Sequence, residues 1–427
     1  EEESPLVAEE IPLQSPSPPS NPRRDVHILC WAFLLVFLAY GAVQNLESTI
    51  NTEGDLGTTS LGILYVSFAV FSVIASLVVK KLKPKNALVL GTTGYWLFIA
   101  ANLKPTWYTM VPASVYLGFA ASIIWVGEGT YLTSAAHSHA ADHDLSQETV
   151  VGQYNGEFWG IFAIHQIAGN LITLGVLKDE EGGGASGKTL LLVLFLVLMT
   201  VGTVLMCFLS HRNGKEETLV GGGSSSSVGI LLNLFLERRI LLLIPLMVYS
   251  GLQQAFVWAV YTKDIVKPTL GESGVGGAMA VYGLFDAVFS LLAGRLTSGL
   301  RSITFIVAGG ALIQLLVLLW LLLLQGGCYY SGMLVPLSIG AFWGVGDGVL
   351  MTQLSAILGI LFKNDPEGAF SQLKLWQSVA VAVVFFISNS LSLGTVAVVM
   401  IVALCVSFLG FTFLTLYVEK AFSNSSS

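Results

Sequence analysis

Apolar stretches of about 20 residues recur along almost the whole chain, and they restrict its fold more than any other feature. A stretch of this length spans the hydrocarbon core of a bilayer as an α-helix. Inside a bilayer every backbone amide must find its partner within the protein, so only helices and closed β-barrels are available. The stretches are continuous and do not alternate in polarity, which excludes a barrel. Because only 11% of the residues are charged, the chain also lies far outside the soluble class.

Twelve spans can be placed along the chain. They cover residues 26–45, 61–79, 86–103, 109–134, 152–176, 189–210, 239–261, 275–297, 302–324, 332–362, 368–391 and 395–418. The tenth is too long for one straight span, and four of its glycines predict a kinked or broken helix. These glycines are Gly340, Gly344, Gly346 and Gly348. The predicted fold class is therefore an all-α membrane protein of twelve transmembrane helices.

The other segments divide the chain into two halves, 26–210 and 239–418. Residues 211–238 between them are polar and contain the run GGGSSSS, which is typical of a flexible linker. Residues 1–25 are acidic and rich in Pro and Ser, so they cannot bury enough apolar surface to fold alone, and we expect a disordered leader. Residues 419–427 form a short tail.

The distribution of basic residues predicts the orientation in the membrane. If the N-terminus lies in the cytosol, 15 of the 20 Lys and Arg residues fall on or near the cytosolic side, as the positive-inside rule requires. We therefore expect both termini and the linker to be cytosolic. The predicted location is an integral, multi-pass position in the plasma membrane, with an endomembrane as the alternative.

The two halves repeat each other in sequence. The matching segments are 40–45 with 249–254, 61–62 with 275–276, 126–133 with 345–352, and 158–159 with 375–376. All four matches occur in the same order, at separations of 209 to 219 residues. Because each repeat holds six helices, the two halves run parallel. This is the arrangement of the major facilitator superfamily, and we predict that fold, with two pseudo-symmetric six-helix halves.

Charged residues inside the predicted spans are the candidates for function, because each costs about 2.5–3.5 kcal/mol to insert. They are Glu128, Glu157, Asp286, Asp347 and Lys374, and His165 is a further titratable group. Spans three, six, nine and twelve hold none of them. In the facilitator fold these four spans are the outer ones, while spans one, four, seven and ten surround the central cavity. The charges therefore agree with the fold that the repeat predicts.

Glu128 and Asp347 are equivalent in the repeat, and each has a glycine on both sides. One interpretation places the two acids across a central cavity, where they could bind a cation or carry a proton. The other is that the glycines allow close helix packing and that neighbouring helices cap the acids. The full set predicted for this cavity is Glu128, Asp347, Gln44, Asn45, Gln253 and Gln254.

Glu157 and Lys374 are also equivalent in the repeat, with opposite charges. They could form a gate between the halves near the cytosolic face, or each could extend to the nearby interface. Asp286 lies in the middle of span eight, where it could line the interface of the halves or be satisfied locally. His165 belongs to the same candidate set.

The sequence gives little support for metal binding, catalysis or nucleic-acid binding. The loop after span four contains His137, His139 and His143, but a solvated interfacial helix explains them better than a metal site does. No cysteine pair has the spacing of a metal or redox motif. No catalytic or phosphate-binding motif is present, and no segment is basic enough to grip nucleic acid. We predict a non-enzymatic protein without metal or cofactor.

Several segments resemble the UNC-93-like family, the ion-channel regulatory branch of the major facilitator superfamily. They are residues 129–133 (GTYLT), 155–160 (NGEFWG), 169–172 (GNLI) and 45–49 (NLEST). The resemblance favours a plant-type member. It implies a facilitator fold and a role in regulating potassium channels or in trafficking of membrane partners.

The sequence departs from ordinary facilitators in one loop. The usual motif between spans two and three, Gly-x-x-x-Asp-Arg-x-Gly-Arg-Arg, is reduced to Lys80-Lys-Leu-Lys-Pro-Lys85. We therefore predict a regulator of potassium or ion homeostasis that acts in the lipid bilayer through a membrane partner such as a potassium channel. The alternative is a secondary transporter that couples protons or cations to the movement of a small solute or cation.

Overall fold

The computed structural model describes residues 21–50, 56–178, 185–212, 237–325, 332–387 and 390–418. Within these ranges the chain forms twelve helices and no strand. They are α1 (Pro22–Ile50), α2 (Leu56–Leu82), α3 (Pro84–Ala101), α4 (Trp107–Asp142), α5 (Gln147–Lys178), α6 (Ala185–Cys207), α7 (Arg238–Phe256), α8 (Lys267–Leu296), α9 (Leu300–Gln325), α10 (Leu334–Leu361), α11 (Pro366–Ile387) and α12 (Leu393–Phe413). The predicted all-α class is confirmed.

Ten helices in the described ranges are long and apolar enough to cross a membrane. The other two helices of the bundle are α3 and α5. Both are needed to complete the twelve-helix bundle, since α3 packs on α4 and α6, and α5 packs on α1 and α8. The predicted leader, linker and tail lie almost entirely outside the described residues, and their limits stay predictions.

The packing of the helices has the symmetry that the repeat predicts. In the first half α1 packs on α5 and α6, and α4 packs on α2 and α3. In the second half α7 packs on α11 and α12, and α10 packs on α8 and α9. The halves meet through α5 with α8 and through α2 with α11, which are equivalent pairs. The prediction of two pseudo-symmetric six-helix halves is thus confirmed.

The predicted break in the tenth span is wrong, because α10 is one uninterrupted α-helix. Its glycines serve close packing instead. A Cβ placed at Gly348 would lie 2.6 Å from the backbone oxygen of Asp286, and one at Gly346 would collide with Gln314. Irregular backbone occurs elsewhere: α7 continues as a π-helix over Val257–Val266, and Gly271 in α8 has φ +72°.

The two halves make close contacts on the side of the bundle where α1 begins and where α4 and α10 end, which we call the proximal side. There α5 and α8 approach so closely that a Cβ at Gly156 would lie 2.6 Å from the Cα of Gly294. Lys80 of α2 pairs with Asp365, just before α11, at 2.7 Å. The halves are therefore closed against each other on the proximal side, which the sequence predicts to be cytosolic.

A buried charge cluster fixes the start of α1 on the same side. Asp25 is fully buried and accepts hydrogen bonds from Arg212 at 3.0 Å, Ser210 at 3.1 Å and Tyr131 at 3.2 Å. The cluster joins α1 to α4 and to the chain that follows α6. Because α1 begins at Pro22, Asp25 belongs to the bundle and not to a leader ending at residue 25.

Candidate functional site

A cavity of about 130 Å³ lies between the two halves, above the proximal contacts. Among the described residues that line it, aromatic side chains come mainly from the first half and ionic ones only from the second. The first half provides Phe37, Tyr40, Tyr65, Phe68, Tyr95, Trp125, Trp159 and Phe162, which we call the aromatic wall. The second half provides Asp286, Asp347 and Lys374, together with Gln254 and Gln377, which we call the polar wall.

The aromatic wall is held by ring-to-ring packing. Trp125 of α4 and Trp159 of α5 stack with centroids 5.9 Å apart and ring planes 7° apart. Phe37 of α1 and Phe162 of α5 pack against Trp125, at 4.9 and 5.4 Å. Offset and edge-to-face pairs of this kind add stability beyond the area they bury. These four rings join α1, α4 and α5 into one part of the aromatic wall.

Lys374 crosses from the second half to this surface. Its Nζ lies 4.4 Å from the ring centroid of Trp125 and 5.7 Å from that of Trp159. The same ammonium donates a hydrogen bond to Oε1 of Gln377 at 2.9 Å. Trp159 in turn donates to Oγ of Ser355 at 3.1 Å, a second polar contact between the halves. Lys374 is thus satisfied by a cation–π contact and a charge-assisted hydrogen bond.

Glu128 is the acid that opposes Lys374, with which it interacts electrostatically. Its side chain is only 3% exposed, and it is not among the residues that line the cavity. Gly129 next to it lets Phe370 pack directly on α4, where a Cβ would collide with the ring. The glycine motif therefore brings α11 onto α4, and Lys374, one turn after Phe370, faces the Glu128 region.

Asp347 does line the cavity, and a chain of hydrogen bonds holds it. Gln253 donates to its Oδ1 at 2.5 Å, and the hydroxyl of Tyr282 donates to its Oδ2. Gln314 donates to Gln253 at 2.8 Å, and Tyr249 donates to Gln314 at 2.5 Å. Four helices of the second half therefore converge on one carboxylate. The repeat-equivalent acids Glu128 and Asp347 have different surroundings, and only Asp347 faces the cavity.

Asp286 is the second carboxylate of the polar wall. Its Oδ1 accepts a hydrogen bond from Ser290 at 3.1 Å, and it lies close enough to Asp347 for the two charges to interact. No Lys or Arg of the described residues forms an ion pair with either acid. Gly348 allows this arrangement, since a Cβ there would lie 2.7 Å from Oδ1 of Asp286.

The other predicted cavity residues take different positions. Gln44 lines the cavity and donates to the hydroxyl of Tyr65 at 2.9 Å. Gln254 also lines it, whereas Gln253 lies behind it in the hydrogen-bond chain. His165 lines the cavity, with Nδ1 2.6 Å from the backbone oxygen of Phe162. The side chain of Asn45 lies outside the described residues.

Glu157 and Lys374 do not meet in this structure. Oε1 of Glu157 lies 2.7 Å from Nδ1 of His27, and both side chains are partly exposed near the proximal end. The acid that Lys374 faces is Glu128. Glu157 therefore has a different partner, and the pairing of Lys374 with Glu128 stays a prediction that their electrostatic interaction supports.

Two of the histidines after span four lie close together. The rings of His139 and His143 lie 4.2 Å apart. No group of three or more His, Cys, Asp or Glu residues in the described part of the chain could hold a metal ion. His137 lies on the same helix, α4, near its proximal end.

Sequence reasoning missed two groups of residues in the candidate site. Tyr282, Gln314 and Tyr249 support Asp347, and Trp125 receives Lys374. Gln314 could have been found as a lone amide inside the otherwise apolar α9. The role of Trp125 has no sequence signal, because aromatic residues are common throughout the spans.

A comparison with protein families shows the family to which this chain belongs. The sequence model described as "Ion channel regulatory protein UNC-93" matches residues 48–414. The chain belongs to the UNC-93 family. The resemblance of the motifs in α4 and α5 is thereby confirmed.

Members of the UNC-93 family from plants and animals align over most of the chain. UNC93-like protein 3 of Arabidopsis thaliana is 58% identical over 389 residues, 89% of this chain and 83% of that protein. Protein unc-93 homolog A of Homo sapiens is 29% identical, over 85% of this chain and 86% of that protein. The putative potassium channel regulatory protein unc-93 of Caenorhabditis elegans is 27% identical, over 84% of this chain and 56% of that protein.

Solved structures show that this UNC-93 family member has the facilitator fold. The proton:xylose symporter XylE superposes with a TM-score of 0.69 at 11% identity, over 93% of this chain and 96% of that one. The E. coli fucose:proton symporter FucP gives 0.66 at 12% identity, over 91% and 98%. At these identities the likeness establishes the fold alone, and the predicted fold is confirmed.

Proposed function

We propose that this chain is a non-enzymatic membrane regulator of potassium or ion homeostasis that acts through a membrane partner such as a potassium channel. The observation that carries the proposal is the match to an ion channel regulatory family over residues 48–414. The relative in Caenorhabditis elegans, named as a putative potassium channel regulatory protein, supports the same role. Both termini lie in the cytosol in this proposal, and the plasma membrane is the favoured location.

The loop between α2 and α3 supports regulation over transport. The single residue Lys83, with φ 69°, joins the two helices, and the charged facilitator motif is absent from this loop. Lys80 nevertheless contacts Asp365 across the halves. Side chains that are 40% and 30% exposed form a weak pair, worth about 0–1 kcal/mol.

The regulatory role is tested by expressing the chain in cells with low background potassium conductance. Cellular potassium content and potassium currents are measured with and without the chain. A regulator changes both, and Asp286→Asn, compared at equal membrane abundance, should change them as the wild type does. Asp142→Asn, an exposed position at the end of α4, is the matched control. Unchanged potassium content and currents in the presence of the wild type would refute the proposal.

One observation favours a second candidate, a proton- or cation-coupled transporter. Asp286 and Asp347 are adjacent carboxylates in a cavity between the halves, and no Lys or Arg of the described residues pairs with either. Intramembrane acids of this kind mark proton and ion pathways. If this candidate is correct, purified protein in liposomes takes up a solute down an imposed proton gradient, and Asp286→Asn abolishes the uptake.

A further inference from the structure

The charges that face the cavity do not balance. Lys374 is opposed by Glu128, which lies behind the lining. Asp286 and Asp347 have no such counterpart among the described residues, and His165 is directed at a backbone oxygen. When both acids are ionised, the cavity carries excess negative charge. Such charge is costly in a low-dielectric setting unless a cation or protons compensate it.

The aromatic wall already accepts an ammonium group in this structure. Nζ of Lys374 lies over Trp125 at 4.4 Å, in the geometry of a cation–π contact. The wall extends beyond this contact to Tyr40 and Phe162, which also face the cavity. The cavity therefore combines carboxylates on one side with an aromatic surface that tolerates positive charge on the other.

We propose that this cavity binds a small organic ammonium compound with an aromatic body. Its ammonium contacts Asp286, with Asp347 adjacent, and its ring lies on the aromatic wall. The proposal does not depend on the regulatory role, because a bound amine could be carried across the membrane or could act as an effector of the protein.

The chemistry of the lining favours an organic ammonium compound over a potassium ion or an organic anion. A potassium ion requires a shell of oxygen atoms to replace its hydration, as in channel filters built of carbonyl rings. The oxygens of this lining lie mainly on the polar wall, and the aromatic wall adds only the hydroxyls of its tyrosines, so the two walls do not form such a ring. An organic anion would need Lys374, whose ammonium is occupied by Gln377, Trp125 and the field of Glu128. It would also lie next to the two acids of the polar wall.

The test measures binding to the purified full chain in detergent by calorimetry and by thermal shift. Four probes of different charge are used: 2-phenylethylamine, 2-phenylethanol, 3-phenylpropionate and potassium chloride. We expect saturable binding and thermal stabilisation with 2-phenylethylamine alone. No binding of the amine overturns the proposal, and so does equal or tighter binding of the alcohol or the carboxylate. Displacement of the amine by potassium at equal concentration also overturns it, in favour of an inorganic cation site.

Two variants locate the site. Asp286→Asn removes one charge at nearly constant volume, and we expect it to weaken amine binding by at least about tenfold, the effect of losing a charge-assisted hydrogen bond. Asp142→Asn lies outside the cavity and should bind as the wild type does. Wild-type affinity in Asp286→Asn refutes the site. If that variant does not fold, Asp347→Asn takes its place with the same expected loss and the same contrary result.

Discussion

The pair of Glu128 and Lys374 gives the sharpest prediction for stability. Lys374→Met removes the hydrogen bond to Gln377 and the contact with Trp125, and it leaves Glu128 as an uncompensated buried acid. Removing one member of a buried pair costs about 3–5 kcal/mol. Glu128→Gln removes only the attraction between the charges. At an effective dielectric constant of about 20, opposite charges a few ångströms apart attract each other by about 3 kcal/mol, and we expect a loss of this size.

The double variant is expected to lose less than the sum of the two. With both charges gone, no buried charge is left unpaired, and the flexible Met side chain packs against Trp125 and Trp159. We expect a total loss of about 4 kcal/mol, against about 7 kcal/mol for the sum of the single losses, and hence a coupling energy of about 3 kcal/mol, within the range for residues that interact. Thermal unfolding followed by tryptophan fluorescence measures it, at about 2–4 °C per kcal/mol for a unit the size of one half.

Glu157→Gln is the matched control, because the same chemical change falls on a partly exposed acid paired with His27. Its effect should stay within about 1 kcal/mol. A double variant whose loss equals the sum of the single losses would show that Glu128 and Lys374 do not interact, and the reasoning would fail.

Three further predictions concern the bundle. Gly156→Ala should destabilise by about 1–3 kcal/mol in thermal unfolding, because its Cβ would lie 2.6 Å from Gly294, whereas Gly175→Ala meets open space; equal shifts would contradict this. Lys80→Asp should cost no more than about 1 kcal/mol in the same assay, and adding Asp365→Lys should restore it; a larger loss that the swap does not restore would assign Lys80 another role. Ser15, Ser225 and Ser425 are predicted to be cytosolic. Single cysteines at these positions, in a cysteine-free background, should therefore resist impermeant thiol reagents in sealed cells. Labelling of a cysteine at position 225 from outside would overturn the topology.

The helices and their symmetry were predictable because a bilayer ties apolar length directly to a spanning helix. In α5 the repeat and the apolar pattern agree. The helix carries Asn155, Glu157 and His165, and its match to α11 at Trp159 and Trp376 supports the span that its apolar residues predict. The break predicted in α10 failed for a physical reason: its glycines provide room for Tyr282, Gln314 and Asp286 and leave the helix continuous.

The charged residues of the candidate site could be predicted from the sequence, but the partners of those residues could not. Hydropathy identifies an intramembrane charge, but the partner of that charge depends on the rotation of each helix and on side chains that the repeat does not share. Asp347 is held by Gln253 and Tyr282, whereas its equivalent Glu128 faces Lys374. The contact of Lys374 with Trp125 lies across the halves, so a pattern within one helix could not predict it.

Reconstitution of the purified chain alone tests the central claim, regulation without coupled transport, most directly. Proteoliposomes are loaded and diluted so that a proton gradient, a potassium gradient or both are imposed, and uptake of radioactive rubidium and of 2-phenylethylamine is followed. Regulation through a partner predicts that uptake of both equals that of protein-free liposomes, while the same preparation still binds the amine. Saturable uptake driven by the proton gradient, and lost in Asp286→Asn but not in Asp142→Asn, would contradict the account and establish a coupled transporter.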